Sequence, residues 1–280
     1  MILTRRELAK ALVGVTATAA LRAEDPKPAA SGVDHVKLRV ANSGASAMFY
    51  YSLFGGEIVS VRNSTLPDSP LVTEFFLKIG GLHFPYLVFA QVRAGELPGL
   101  DHISFLVDDP GAVRATLVRQ GVTLIPPGDW FHDADGNLME LMRGPSFGIQ
   151  NQNMRVALPA NLGGIRPAFN GALLNRFCLR SGDAPRSAAF FRSIFNPPVV
   201  HPVAPGAQAI RCGQTALEIR PIAVTARPGL DRIVIAVSGI GLKQARRLLE
   251  QRGVQSYGAR EEVFFRDPDG NELQLIARAQ

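Results

Sequence analysis

Residues 34–59, DHVKLRVANSGASAMFYYSLFGGEIV, align without a gap on residues 175–200, NRFCLRSGDAPRSAAFFRSIFNPPVV. A second pair of segments follows. GLDHISFLVDD, beginning at Gly99, matches GLDRIVIAVSG at Gly229, and WFHDADGNLMEL (130–141) matches FFRDPDGNELQL (264–275). The chain is therefore written A-B-A′-B′, in four units of roughly 55–70 residues. Such self-similarity restricts the fold to repeats of one supersecondary unit.

Each unit has the same order of elements. An alternating segment such as HVKLRV or HISFLV predicts a half-buried strand. SAMFYYSLF, GAVRATLVRQG, RSAAFFRSIF and LKQARRLLEQRG predict helices, with Gly121 and Gly253 placed to end two of them. Further strands complete each unit, and the DADGN and DPDGN stretches read as turns into the last one. One such β-α-β-β-β unit leaves an open sheet edge and an uncovered face, so the units are expected to pair. The fold class is α+β: two tandem domains, each a cupped mixed sheet from two paired units. The expected boundaries are 32–146 and 171–280, joined by a Gly-, Pro- and Asn-rich linker at 147–170.

Residues 1–31 read as an export signal and linker. TRRELAK, at 4–10, resembles the twin-arginine export motif, and Ala11–Leu21 is apolar but too short to span a bilayer. That resemblance implies a periplasmic or extracellular location, without stable membrane insertion after signal removal. The formal charge of +6 owes three of its units to residues 1–23, and no basic run remains elsewhere, which argues against nucleic acid as a partner. Hydrophobic residues at 46% and charged ones at 19% suit a chain with a substantial core. The two cysteines, Cys178 and Cys212, are expected to be free thiols.

Three residues stand out as metal ligands. His35 opens the first strand of unit A, His102 the first strand of unit B, and Glu140 lies in the last strand of B. If A and B pair as copies, equivalent strand positions meet across a shared cavity. Two imidazoles and a carboxylate there would form a facial ligand set for a divalent ion: Fe, Mn, Zn, Ni or Co. In A′ and B′ the corresponding residues are Arg176, Arg232 and Gln274. A guanidinium has no lone pair to offer, so the second domain keeps the fold without the ligands. Glu218 is placed to form an ion pair with Arg176 or Arg232; alternatively the two arginines hold an anionic ligand.

The βαβββ repeat, the DH-opened strand and the closing F-x-D-P-D-G-N-x-x-E-L resemble the vicinal oxygen chelate superfamily. This superfamily includes glyoxalase I, bleomycin-resistance proteins, fosfomycin-resistance enzymes and extradiol dioxygenases. The resemblance covers nearly everything after residue 32, and implies the same metal ligands: His35, His102 and Glu140. It also implies a Lewis-acid enzyme acting on a small oxygenated substrate. Glyoxalase I would need an acid in the last strand of unit A, where GGLHFPYLVFAQ has none. There Tyr86 is a candidate weak ligand or hydrogen-bond donor, and His83 is out of step. The dioxygenase fingerprint expects a tyrosine where Trp130 stands, a histidine before it, and a metal in the C-terminal domain. His132, in the turn before Asp133, is a candidate general acid or base near the mouth of the site, and Trp130 and Phe131 are candidate cleft walls. His201 reads as loop. The alternative function is a non-catalytic small-molecule binder of the bleomycin-resistance type. Four fused units already supply the pairings that shorter chains obtain by dimerising, so a monomer or weak dimer is expected.

Overall fold

The computed structural model describes residues 30–63, 72–81, 85–126, 128–144, 155–156, 164–202, 204–222, 227–259 and 261–278. The signal-like segment and His83 lie outside them. No helix among the described residues is long and apolar enough to cross a membrane.

Unit A comprises β1 (Ala30–Val40), α1 (Ser43–Phe54), β2 (Glu57–Asn63), β3 (Val72–Lys78) and β4 (Tyr86–Gln91). Unit B comprises β5 (Gly99–Val107), α2 (Pro110–Arg119), β6 (Leu124–Ile125), β7 (Trp130–His132) and β8 (Leu138–Met142). Both join one sheet, ordered β6-β7-β8-β5-β1-β4-β3-β2-β9. The last strand, β9 (Arg155–Val156), comes from the predicted linker and pairs with β2. That linker is thus not wholly irregular. Near its end Phe169 is buried, stacks on Phe54 and donates its backbone N–H to the Leu53 carbonyl.

The second sheet, β11-β12-β10-β13-β16-β15-β14, repeats this centre. Unit A′ holds β10 (Leu173–Ser181), α3 (Ala184–Phe195), β11 (Gln208–Cys212) and β12 (Thr215–Pro221). Unit B′ holds β13 (Gly229–Val237), α4 (Leu242–Gln251), β14 (Ser256–Tyr257), β15 (Val263–Arg266) and β16 (Glu272–Ala277). Unit A′ departs from the predicted βαβββ order. The strand expected after its helix is reduced to one bridge, Val199 to Ile210. The stretch NPPVVHPVAP supplies the reason, since proline donates nothing to a ladder.

The helices start where short polar side chains can cap them. Asn42, Asp109 and Asp183 each accept a hydrogen bond from a backbone N–H in the first turn of α1, α2 and α3. At the end of α1, Gly56 takes φ 107°, and a Cβ there would lie 2.1 Å from the Lys78 carbonyl oxygen, so only glycine lets the chain turn into β2.

Sheet alternation divides the two faces. On β1, Val36, Leu38 and Val40 enter the core, while His35, Lys37 and Arg39 take the other face. The core is continuous across the two domains. Phe105 of β5 packs on Phe191 and Phe195 of α3, and Phe49 and Phe54 of α1 pack on Phe265 of β15. Each domain's first helix therefore lies on its own sheet and exchanges aromatic contacts with the other domain.

The two D-x-D-G-N turns close this exchange. Asp269 accepts from Ala41 N (2.6 Å) and Ser46 Oγ (2.6 Å) at the start of α1. Asp135 accepts from Gly182 N and Ser187 Oγ at the start of α3, the repeat-equivalent atoms. The first aspartate of each turn, Asp133 or Asp267, holds its own loop through backbone N–H groups and an asparagine amide.

Two measurements follow from this packing. Asp269→Ala should lower stability by about 1–3 kcal/mol, and combining it with Ser46→Ala should add clearly less than the sum of the two, read as thermal midpoints. Cys178 and Cys212 are free and buried, with thiols pushed up to about 12 by burial. A thiol reagent should modify neither in the native protein and both after denaturation.

Candidate metal centre

The first strands of units A and B, β1 and β5, run antiparallel and join the two halves of the first sheet. Their ladder is interrupted three times, once near its end between Ala30 and Gly32 and twice beside the site. Val33 faces Phe105 and His35 faces Ser104, so Asp34 is an extra residue; Lys37 faces His102 and Leu38 faces Leu100, so Asp101 is another. A β-bulge of this kind turns a side chain that would otherwise leave by the opposite face. Each aspartate thereby bonds the histidine that follows it. Asp34 Oδ2 lies 2.7 Å from His35 Nδ1, and Asp101 Oδ1 lies 2.5 Å from His102 Nδ1.

A carboxylate can only accept, so in both rings Nδ1 carries a proton, and in the neutral imidazole that leaves Nε2 as the atom with a lone pair. Those two Nε2 atoms are 2.9 Å apart, and each is 3.6 Å from Glu140 Oε2 on β8. Three acceptors thus converge. The point equidistant from them lies about 2.0 Å from each, the length of a bond from a transition metal to imidazole nitrogen or carboxylate oxygen. Among the described residues, this is the group of three side chains able to share an ion.

Burial sharpens the arrangement. His35 and His102 are 6% and 3% exposed. Burial lowers the His102 pKa to about 4, against the opposing pull of Asp101, which keeps its ring neutral. Burial alone would raise Asp101, but the bonds from His102 and from Arg39 Nε (2.6 Å) hold it below the usual carboxylate range. Glu140 is raised by burial, partly offset by His35. Ser104, paired with Glu140 across β5 and β8, is fully buried beside it.

No protein-family model and no curated protein sequence matches this chain. Solved structures do. A mutant of 4-hydroxymandelate synthase from Streptomyces coelicolor aligns at TM-score 0.61 with 16% identity, over 89% of this chain and 93% of that one. The 2,3-dioxygenase LapB from Pseudomonas sp. KL28 aligns at 0.60 with 16% identity, over 90% and 93%. A Mn(II)-bound glyoxalase from Novosphingobium aromaticivorans aligns at 0.59 with 17% identity, over 90% and 84%. The chain shares the fold of these proteins.

On this shared scaffold the remaining candidates take distinct places. Tyr86 of β4 stands beside His35 in the parallel ladder, buried, edge-on to Phe76 and with Lys78 Nζ 4.2 Å from its ring centre. Trp130 packs edge-on against the His102 ring at 4.5 Å. Phe131 does not line the cleft; its neighbour's place on the site face sends it into the core, against Phe190 of the second domain. His132 is not among the converging side chains. It ends β7, is exposed, and turns its Nδ1 to the Gly136 carbonyl (3.0 Å) at the junction of the domains. His201 lies outside helix and strand and is exposed. The sequence reading did not single out Asp34, Asp101 or the Lys37–Glu74 pair, whose charged atoms are 2.7 Å apart on β1 and β3. The only signal for the two aspartates is that each immediately precedes its histidine.

The second domain keeps both bulges, at Asn175 and Asp231, but fills the site with charge pairs. Arg176 holds Glu218, as does Arg220 Nε at 2.7 Å. Arg232 bonds Glu272 and reaches Gln274 Oε1 at 3.2 Å, so the counterparts of His102 and Glu140 also touch. Glu218 is fully buried between two guanidinium groups. Glu218→Gln should destabilise the protein by about 3 kcal/mol, because it leaves two half-buried cations without their acid; a thermal midpoint within a degree of wild type would contradict this.

Proposed function

We propose that the chain is a divalent-metal-dependent enzyme of the vicinal oxygen chelate type, acting on a small oxygenated molecule. One observation carries the reading: two buried imidazoles, each locked with Nδ1 on a carboxylate, aim bare Nε2 atoms at one another across 2.9 Å with a third acceptor opposite. Three converging acceptors without a donor repel one another, and a cation removes the conflict.

A metal held by His35, His102 and Glu140 would supply Lewis acidity, polarising a substrate oxygen and stabilising negative charge on it. The protein residues do the rest. Asp34 and Asp101 fix the ring orientation and raise the basicity of both imidazoles. Trp130 and Phe76 provide apolar surface beside the two rings and exclude water. Tyr86 is assigned to donate a hydrogen bond to the substrate oxygen, from the strand adjoining His35. The paired Lys37 and Glu74 keep a polar edge on the same face.

The fold neighbours are named as a synthase, dioxygenases and a glyoxalase, which supports metal chemistry on an oxygenated substrate and leaves the reaction class open. The resemblance of residues 4–10 to a twin-arginine motif supports export of the folded, metal-loaded chain.

The discriminating experiment is metal analysis of protein purified without added chelator. The wild type should carry about one transition-metal ion per chain, and His102→Ala should lose it. Asp101→Asn should keep the fold while lowering metal affinity by about 10–100-fold. Absence of metal from the wild type, with full retention of fold after remetallation attempts, would favour a non-catalytic binding protein.

A further inference from the structure

A cavity lies between the domains; none of the three converging ligands lines it, although its wall reaches Asp101, the partner of His102. It has a volume of about 730 Å³ and is lined by repeat-equivalent pieces of both domains: Gly99 to Asp101 with Gly229 to Asp231, and the two D-G-N turns. Its charge is not symmetric. At two equivalent positions the first domain supplies Leu97 and His132, where the second supplies Arg227 and Arg266. Arg39 and Arg180 form a third equivalent pair.

The acids on the wall are mostly committed. Asp101 is taken by Arg39 and His102, Asp231 by Arg220 at 3.4 Å, and Glu272 by Arg232 and the Tyr257 hydroxyl. Asp269 accepts only from neutral donors and so keeps its charge. Against that single carboxylate stand three guanidinium groups. Arg180 makes no hydrogen bond or ion pair among the described residues, and its Nε is buried and unpartnered. Arg227 likewise has no acid partner, and Arg266 spends one N–H on the Gly270 carbonyl. An unsatisfied buried guanidinium N–H is costly, and planar forks of this kind match phosphate oxygens two at a time.

We propose that this interdomain cavity binds a dianion of the phosphate type, held by Arg180, Arg227 and Arg266. The surplus of two positive charges sets the valence. The three guanidinium groups belong to the second domain, and none of them touches His35, His102 or Glu140 among the described residues.

The test is calorimetric titration of inorganic phosphate into the whole protein at low ionic strength and slightly alkaline pH, where screening is weak and phosphate is the dianion. One saturable phosphate per chain is expected. Arg180→Gln should weaken it at least tenfold. Arg227→Gln, at an exposed position, should weaken it at least fivefold without risk to folding. His35→Ala, whose carboxylate partner Asp34 is not part of the cavity wall, should bind phosphate as the wild type does, and acetate should bind at least tenfold more weakly than phosphate. No saturable phosphate binding, or wild-type affinity in Arg227→Gln, overturns the proposal. Loss of phosphate binding in His35→Ala would place the anion on the metal centre and overturn it as well, and equal binding of acetate overturns the dianion assignment.

Discussion

Everything at the candidate site depends on two extra residues in one strand pair. Without the bulges at Asp34 and Asp101, strict alternation would send each aspartate and its histidine to opposite faces of the sheet. With them, each acid reaches back to Nδ1, and the imidazole is held in one tautomer with Nε2 forward. The antiparallel pairing of β1 and β5 then sets the rings diagonally opposite one another. The backbone therefore does the positioning that flexible side chains could not, at the cost of two broken ladder steps.

The second domain shows which part of this belongs to the fold and which to the chemistry. Its bulges persist at Asn175 and Asp231, although no histidine follows either. The bulge is thus a property of how two units join. The metal-ligating character depends only on which side chains follow it. Arginine in those places creates the opposite electrostatic problem, donors with no acceptor, and Glu218 answers it from β12. Both domains obey one rule: a buried cluster of one polarity requires a partner of the other. In the second domain that partner is a side chain of the protein. In the first, a divalent cation held by His35, His102 and Glu140 would be that partner.

Much of this was legible in the sequence because repeats can be compared with themselves. The four units, their pairing and the positions of His35, His102 and Glu140 all follow from alignment of the chain on itself. The Arg176–Glu218 pair was one of two open readings and is the one observed. What escaped has identifiable causes. Bulges leave no mark in residue type, so Asp34 and Asp101 read as ordinary strand residues. Trp130 and Phe131 are equally aromatic, and only the register against β8 decides that the first faces the site. The loss of a strand in unit A′ was written in the prolines around His201, but the gapless repeat drew attention away from them. His132 was placed near the mouth of the site by the turn before Asp133, yet it ends β7 exposed at the domain junction.

The exchange of aromatic contacts between the domains gives a domain without metal ligands a part in the architecture. α1 and α3 each lie on their own sheet, yet Phe105 of the first sheet also packs on Phe191 and Phe195 of α3, and Phe265 of the second on Phe49 and Phe54 of α1. Each sheet thus finds part of its cover in the other half of the chain. The D-x-D-G-N turns, at first sight mere connections, fix this arrangement at both ends by binding the start of the partner helix. Removing the second domain would expose Phe105 and Phe131 together with the helix face of Phe49 and Phe54, a contiguous apolar surface of the kind that drives association. The histidines lie on the opposite face of the very strands so covered. The position of the metal ligands is therefore set from behind, by a domain that contributes none of them.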